Sequence, residues 1–214
     1  MTQTNETARR TTGHGAVGTA LRRVVLFAAP LGAAVAMWLH PHAGDDVYDN
    51  VAPVVDTWLA GHLLLFPSLA LVGVGLYLLV SGHRDLLAAV ARAGIVIYAA
   101  GYLAFVAIVG IGTGLLVRQG QTLPAEQQAG VAEVVQYLHT SPTLLAAAAI
   151  GGVGYLLAVS ALSVVLRRSG APIGALVALV GSTIALGAHS GLVAVIGMAL
   201  FIVAAAWLEF SRSH

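Results

Sequence analysis

The run TWLAGHLLLFPSLALVGVGLYLLV, residues 57–80, holds no Asp, Glu, Lys or Arg in twenty-four positions. About 20 residues suffice for a helix to cross a hydrocarbon core of about 30 Å. In lipid every backbone N–H and C=O must be bonded within its own segment, which leaves helices as the reading. Five more apolar runs share this character, and spans are expected near 22–39, 57–80, 93–117, 142–166, 172–188 and 190–208. The expected fold is therefore all-α: an integral membrane bundle of six transmembrane helices, preceded by a disordered polar tail over residues 1–20. The last two runs are short and meet through GAHSG, residues 187–191, which reads as a tight helical hairpin or a re-entrant pair.

Composition agrees and excludes several classes. Hydrophobic residues make up 58% of the chain and charged ones 9%, against about 25% charged in soluble domains. The net charge of +1 offers no basic surface for nucleic acid. There is no cysteine, which removes disulfides, thiolate metal sites and cysteine nucleophiles. All ten basic residues are arginine, and with the abundance of Ala, Val and Gly this points to a GC-rich prokaryotic genome.

The arginines set an orientation. Arg9, Arg10, Arg22, Arg23, Arg84, Arg92, Arg167, Arg168 and Arg212 fall on one side of a six-span arrangement, and Arg118 on the other. The chain is thus expected in the cell membrane, multi-pass, with both termini cytoplasmic. Asp45, Asp46, Asp49, Asp56, Glu126 and Glu133 fall outside, and Trp38, Trp58 and Tyr137 are expected in the outer aromatic belt. A rival reading treats LRRVVLFAAPLGAAVA as a cleavable leader, which would leave five spans. The apolar run continues past that point through Trp38 and Leu39, which favours a span.

Two outer connections are long, and each carries one apolar helical face just before the next span. VAPVVDTWL places Val51, Val54, Val55, Trp58 and Leu59 on such a face, and VAEVVQYL places Val131, Val134, Val135 and Leu138. This parallel, with Gly73-Val74-Gly75 and Gly152-Val153-Gly154 downstream, suggests that spans 1–2 and 3–4 are parallel repeats of a helical hairpin. Gly110 with Gly114, Gly170 with Gly174, Gly94, Gly101 and Gly181 read as sites of close helix approach.

No Asp, Glu, Arg or His falls mid-span, which weighs against a proton-coupled transporter or a voltage sensor. Tyr98 and Tyr102 share a face, and their hydroxyls are expected to bond neighbouring helices. The chemistry gathers at the outer level, where five of the eight histidines fall: His40, His42, His62, His139 and His189. His62 continues the stripe Val51, Val55, Trp58, and His139 sits four residues after Val135, so both are expected to face the bundle. Two histidines on facing helices are how membrane haems are commonly held. Three or four with an aspartate suit a transition metal.

The expected cofactor-binding residues are therefore His62, His139 and His189, for haem b or a transition metal. The metal set is His40, His42 and His62 with Asp45 and Asp56, the aspartates of HPHAGDD orienting the far ring nitrogens. The functional expectation is a protein binding haem or a metal near the outer face, for electron transfer or sensing. The alternative is a membrane subunit or small-solute permease without a cofactor, packed against a partner subunit or a second copy of itself. Ser190 beside His189 does not make a nucleophile pair, because no Gly-x-Ser-Gly motif accompanies it. No His-Glu-x-x-His motif is present.

Overall fold

A computed structural model describes residues 3–211, with side chains described from residue 18 onward. The tail expected over residues 1–20 falls largely outside the described side chains. The described residues form helices and connections with no strand. Helix α1 (Gln3–Leu39) is followed by α2 (Val47–Val51), a single 3₁₀ turn (Ala52–Val54) and α3 (Val55–Val80). Helix α4 (Leu86–Tyr98) runs through two π-helical segments, Ala99–Leu103 and Val106–Gly112, into α5 (Thr113–Gly120). Then come α6 (Ala125–Thr140), α7 (Pro142–Arg168), α8 (Ile173–Gly181), α9 (Ile184–Ala188) and α10 (Gly191–Phe210).

Five of these stretches are long and apolar enough to cross a membrane: Gly18–Leu39, Val47–Val80, Leu86–Gly120, Ala125–Arg168 and Gly191–Phe210. The remaining apolar run, 172–188, forms the shorter, broken helix Ile173–Ala188. It turns at Ser182 and Thr183, where each hydroxyl donates to a carbonyl of the preceding turn, Leu179 O and Val180 O.

Prolines mark where helices begin anew. Ser141 has ψ 119° and ends α6, and Pro142 opens α7. A residue before proline is turned away from the helical region, and proline at the first helical position loses no hydrogen bond. The stretch Val47–Val80 has 34 residues, about 51 Å at 1.5 Å per residue. That is longer than a bilayer core is thick, and α2 packs with α6, α5 and the start of α3 at one end of the bundle as a cap. That cap has its own core of Val47, Tyr48, Val51, Val55, Trp58, Leu59, Val117 and Val135. The buried stripes are slightly narrower than the sequence pattern implied, because Val54 and Val134 face outward.

The main core is larger and centres on Leu26, Met37, Leu65, Leu69, Leu76, Tyr98, Tyr155 and Phe201. Helix α1 packs on α3 and α10, α4 on α7, and α8 and α9 on α10. The contact of α4 and the π-helical segment Ala99–Leu103 with α7 is backbone on backbone. A Cβ on Gly101 would stand 2.5 Å from Ala147 O, and one on Gly151 would stand 2.3 Å from Tyr102 N. Without side chains at these positions the two helices approach closely enough for dispersion to act between backbones, the main attraction available in lipid.

Interhelical hydroxyls add direction. Tyr98 donates to Leu69 O at 3.0 Å, and Tyr155 shares a hydrogen bond with Ser182 at 3.1 Å. At the opposite end from the cap, Arg22 Nε meets Glu209 at 3.0 Å and Arg22 Nη1 donates to Leu78 O at 2.9 Å. These contacts tie α1, α3 and α10 together.

Candidate metal centre

Three elements bring histidine side chains to one point. His40 ends the first span, where the chain leaves the helix and Pro41 turns it back over the bundle. His62 lies two turns into α3 and is 1% exposed. His189 sits between α9 and α10. One ligand nitrogen from each of these rings lies within 4.8 Å of the others. The three line a cavity of about 260 Å³ together with Trp58, Gly110 and His139.

Hydrogen bonds fix which nitrogen of each ring is free. The Nδ1–H of His62 donates to Trp58 O at 2.9 Å, one helical turn back. The Nδ1–H of His40 donates to Pro41 O at 2.7 Å. A carbonyl can only accept, so in each neutral ring Nε2 is the unprotonated nitrogen. These two Nε2 atoms face each other at 3.0 Å. Two lone pairs that close repel unless a proton or a metal ion lies between them. The third ring follows the same logic. The Tyr102 hydroxyl donates to Leu186 O at 3.2 Å and meets His189 Nδ1 at 2.9 Å. With its proton used on the carbonyl, the tyrosine oxygen accepts Nδ1–H, and Nε2 of His189 is left free.

The surroundings hold this arrangement. Gly110 lies where the π-helical segment passes His62, and a Cβ there would stand 2.0 Å from His62 Cδ2. Its carbonyl accepts from Trp58 Nε1 at 2.7 Å. Trp58 is 2% exposed and its ring centroid lies 4.6 Å from that of His62. It is a wall of the site rather than a member of the outer aromatic belt, whereas Trp38 and Tyr137 are exposed.

His189 has φ 56° and ψ −36°, the one positive-φ residue other than glycine among the described residues. Ser190 N donates to Ala188 O across it at 2.6 Å. That is a γ-turn of the strained hand, a conformation that costs on the order of 1–3 kcal/mol in a non-glycine residue and concentrates at functional sites. Two π-helical segments beside the same rings add to the signal, since such bulges occur often at functional sites. Burial pushes the pKa of the His40 imidazole below its ordinary value. Burial, with the neighbouring histidines adding to it, pushes that of His189 down to about 3. Both rings are therefore held in the neutral, ligating form.

The other sequence candidates fall in different places. His139 lines the same cavity, and its Nε2 shares a hydrogen bond with Thr113 Oγ1 at 3.1 Å. It lies outside the three-ring group. His42 is at the cavity rim and exposed. Asp45 is exposed on the loop. Asp56 turns outward and forms an ion pair with Arg118 at the surface. The role expected of the aspartates, fixing the far ring nitrogens, is taken by the carbonyls of Pro41 and Trp58 and by the Tyr102 hydroxyl. Tyr102 is the functional candidate that sequence reasoning missed, since its spacing from Tyr98 announces only a shared face.

No protein-family model matches the chain, and no curated protein or solved structure matches it.

Proposed function

We propose that this chain is a multi-pass protein of the cell membrane that binds one transition-metal ion through His40, His62 and His189. The reading places this site near the outer face, with both termini cytoplasmic and the broken helix Ile173–Ala188 as a sixth, short span. The observation that carries it is the pair of Nε2 atoms 3.0 Å apart, each on a ring whose Nδ1 is engaged by a backbone carbonyl. Zinc takes imidazole nitrogens at about 2.0–2.1 Å in a tetrahedron, which sets its ligand edges at about 3.3–3.4 Å. A small adjustment of two rings accommodates that ion. Nitrogens 3.0 Å apart leave no space between them for a porphyrin plane, so this geometry supports a bare ion over haem.

Three neutral imidazoles without thiolate suit zinc, copper or cobalt. Three protein ligands beside a cavity are the pattern of an ion that exchanges a fourth ligand, unlike a closed four-coordinate structural site. The work of such a centre is sensing, electron transfer or activation of a bound small molecule.

The test is metal analysis and zinc titration of detergent-purified protein, with an absorption spectrum before and after dithionite reduction. The expected result is one zinc per chain, with binding lost in His62→Ala and in His40→Ala. Thermal unfolding measured alongside shows whether those variants remain folded. A stable protein that binds no metal in either redox state would return the chain to a packing or permease role, and a Soret band would return it to haem.

A further inference from the structure

His189 is part of the wall of a second cavity. This one has about 520 Å³ and lies between the outer half of α7 and the broken helix. Its α7 wall is the stripe Ala148, Ala149, Gly152 and Leu156, all on one helix face. The stripe runs from Ala148 to Leu156, about 12 Å along the helix axis. The facing wall is Leu186 and Gly187. His189 and Phe105, whose ring centroids are 6.0 Å apart, belong to the linings of both cavities and form the partition between them.

The slot exists because its walls lack side chains. A Cβ built on Gly152 or on Gly187 meets nothing within 4 Å. It lies between the apolar, membrane-length stretch Ala125–Arg168 and the shorter apolar helix Ile173–Ala188, so on the membrane reading above the solvent beside it is hydrocarbon. Its lining holds no charged residue. Of its hydroxyls, Thr183 donates to Val180 O, in its own helix, and the tyrosine at the partition bonds His189. The polarity of the slot is therefore concentrated at one end, where the imidazole and the phenol stand.

The geometry points to a membrane lipid as the occupant: an acyl chain in the slot, with its polar end toward Tyr102 and His189. A chain-shaped apolar molecule matches a long trough with a polar end, and the bilayer supplies it without desolvation. A second protein copy would need to insert a ridge of side chains between α7 and the broken helix. The role of His189 here rests on the metal reading above. A lipid in the slot then lies against the His189–Phe105 partition, beside the metal centre.

The experiment uses full-length protein in nanodiscs of phosphatidylcholine carrying a photoactivatable diazirine in its acyl chain. Labelled peptides are located by mass spectrometry, and zinc content is measured on the same samples. The expected result is labelling of residues 148–156 and 183–187 well above that of the exposed α10 face around Val203. Gly152→Leu and Gly187→Leu, each at a position where an added Cβ meets nothing within 4 Å, should each drop that labelling to the Val203 level with zinc content unchanged. Labelling that is uniform over exposed faces and unmoved by either substitution overturns the lipid site. So does protein–protein crosslinking at the slot in place of lipid. Slot labelling in protein that binds no zinc would leave the lipid site standing while removing the metal reading. Zinc binding without slot labelling would do the reverse.

Discussion

His62 brings a sequence stripe and a chemical environment to the same atom. Its place after Val51, Val55 and Trp58 turns it inward, and its position in the helix lets Nδ1 reach the carbonyl one turn back. The same design recurs at His189 with a phenol in place of the carbonyl. An outer partner of this kind orients a ligand and raises its basicity, and its loss costs roughly 10–100-fold in metal affinity. Tyr102→Phe is therefore expected to weaken zinc binding by about that factor without abolishing it, as read by competition with a chromophoric chelator.

The pH response of the metal-free protein belongs to the residue scale too. His189 has an ordinary pKa near 6.5 when unfolded and about 3 when folded. Between those values the unfolded chain holds a proton that the folded one does not, so stability falls as pH is lowered through that window. The unfolding temperature of zinc-free protein should drop from pH 6.5 downward. His189→Gln should flatten part of that slope, and an unchanged slope would show that the ring is not buried as a neutral base.

The elements divide between two driving forces. The cap of α2, α5 and α6, with the start of α3, has its own apolar core beside the exposed acids of the 40–50 loop, and burial of that core stabilises it. Removing two methyl groups there, as in Val135→Ala, should cost on the order of 1.5 kcal/mol. Within the slab, where lipid is as apolar as leucine, close packing decides. Gly151 meets the backbone at Tyr102, the residue that positions His189. A large residue at Gly151 forces α7 and the π-helical segment Ala99–Leu103 apart. We expect Gly151→Leu to lower stability by roughly 1–3 kcal/mol and to reduce zinc affinity through displacement of Tyr102, measured by thermal unfolding and titration on one preparation. Full affinity in a destabilised Gly151→Leu protein would separate the packing from the site.

The whole molecule is asymmetric along its long direction. One end carries the cap, the histidine cavity and the exposed acids of the 40–50 loop. The other carries Arg22 and Arg23 against Glu209, with Arg92 on the carbonyls of Val80 and His83. The absence of native cysteine makes orientation directly measurable. Asp49→Cys and Arg84→Cys both replace exposed side chains, one at each end. In intact cells an impermeant maleimide should label Asp49→Cys at once and Arg84→Cys only after permeabilisation. The opposite pattern would invert the topology.

What the sequence determined by itself is the solvent and the secondary structure. Long uncharged runs admit helices alone, and prolines at 124, 142 and 172 mark where helices begin. The inward turn of His62 was also legible, because a period of 3.6 fixes which residues share a face. Which histidines meet was not legible. His139 has the same credentials as His62, yet it is His40, at the fraying end of a helix with no periodicity to orient it, that reaches His62 Nε2. The π-helical register of the third apolar stretch carries no sequence signature, and it is that register which brings Gly110 under His62 and Tyr102 to His189. Trp58 reads as an interfacial anchor until a carbonyl in another helix claims its N–H. Periodicity orients a residue about its own helix axis, but contact between helices depends on their relative depth and rotation, and those are set only when the backbones pack.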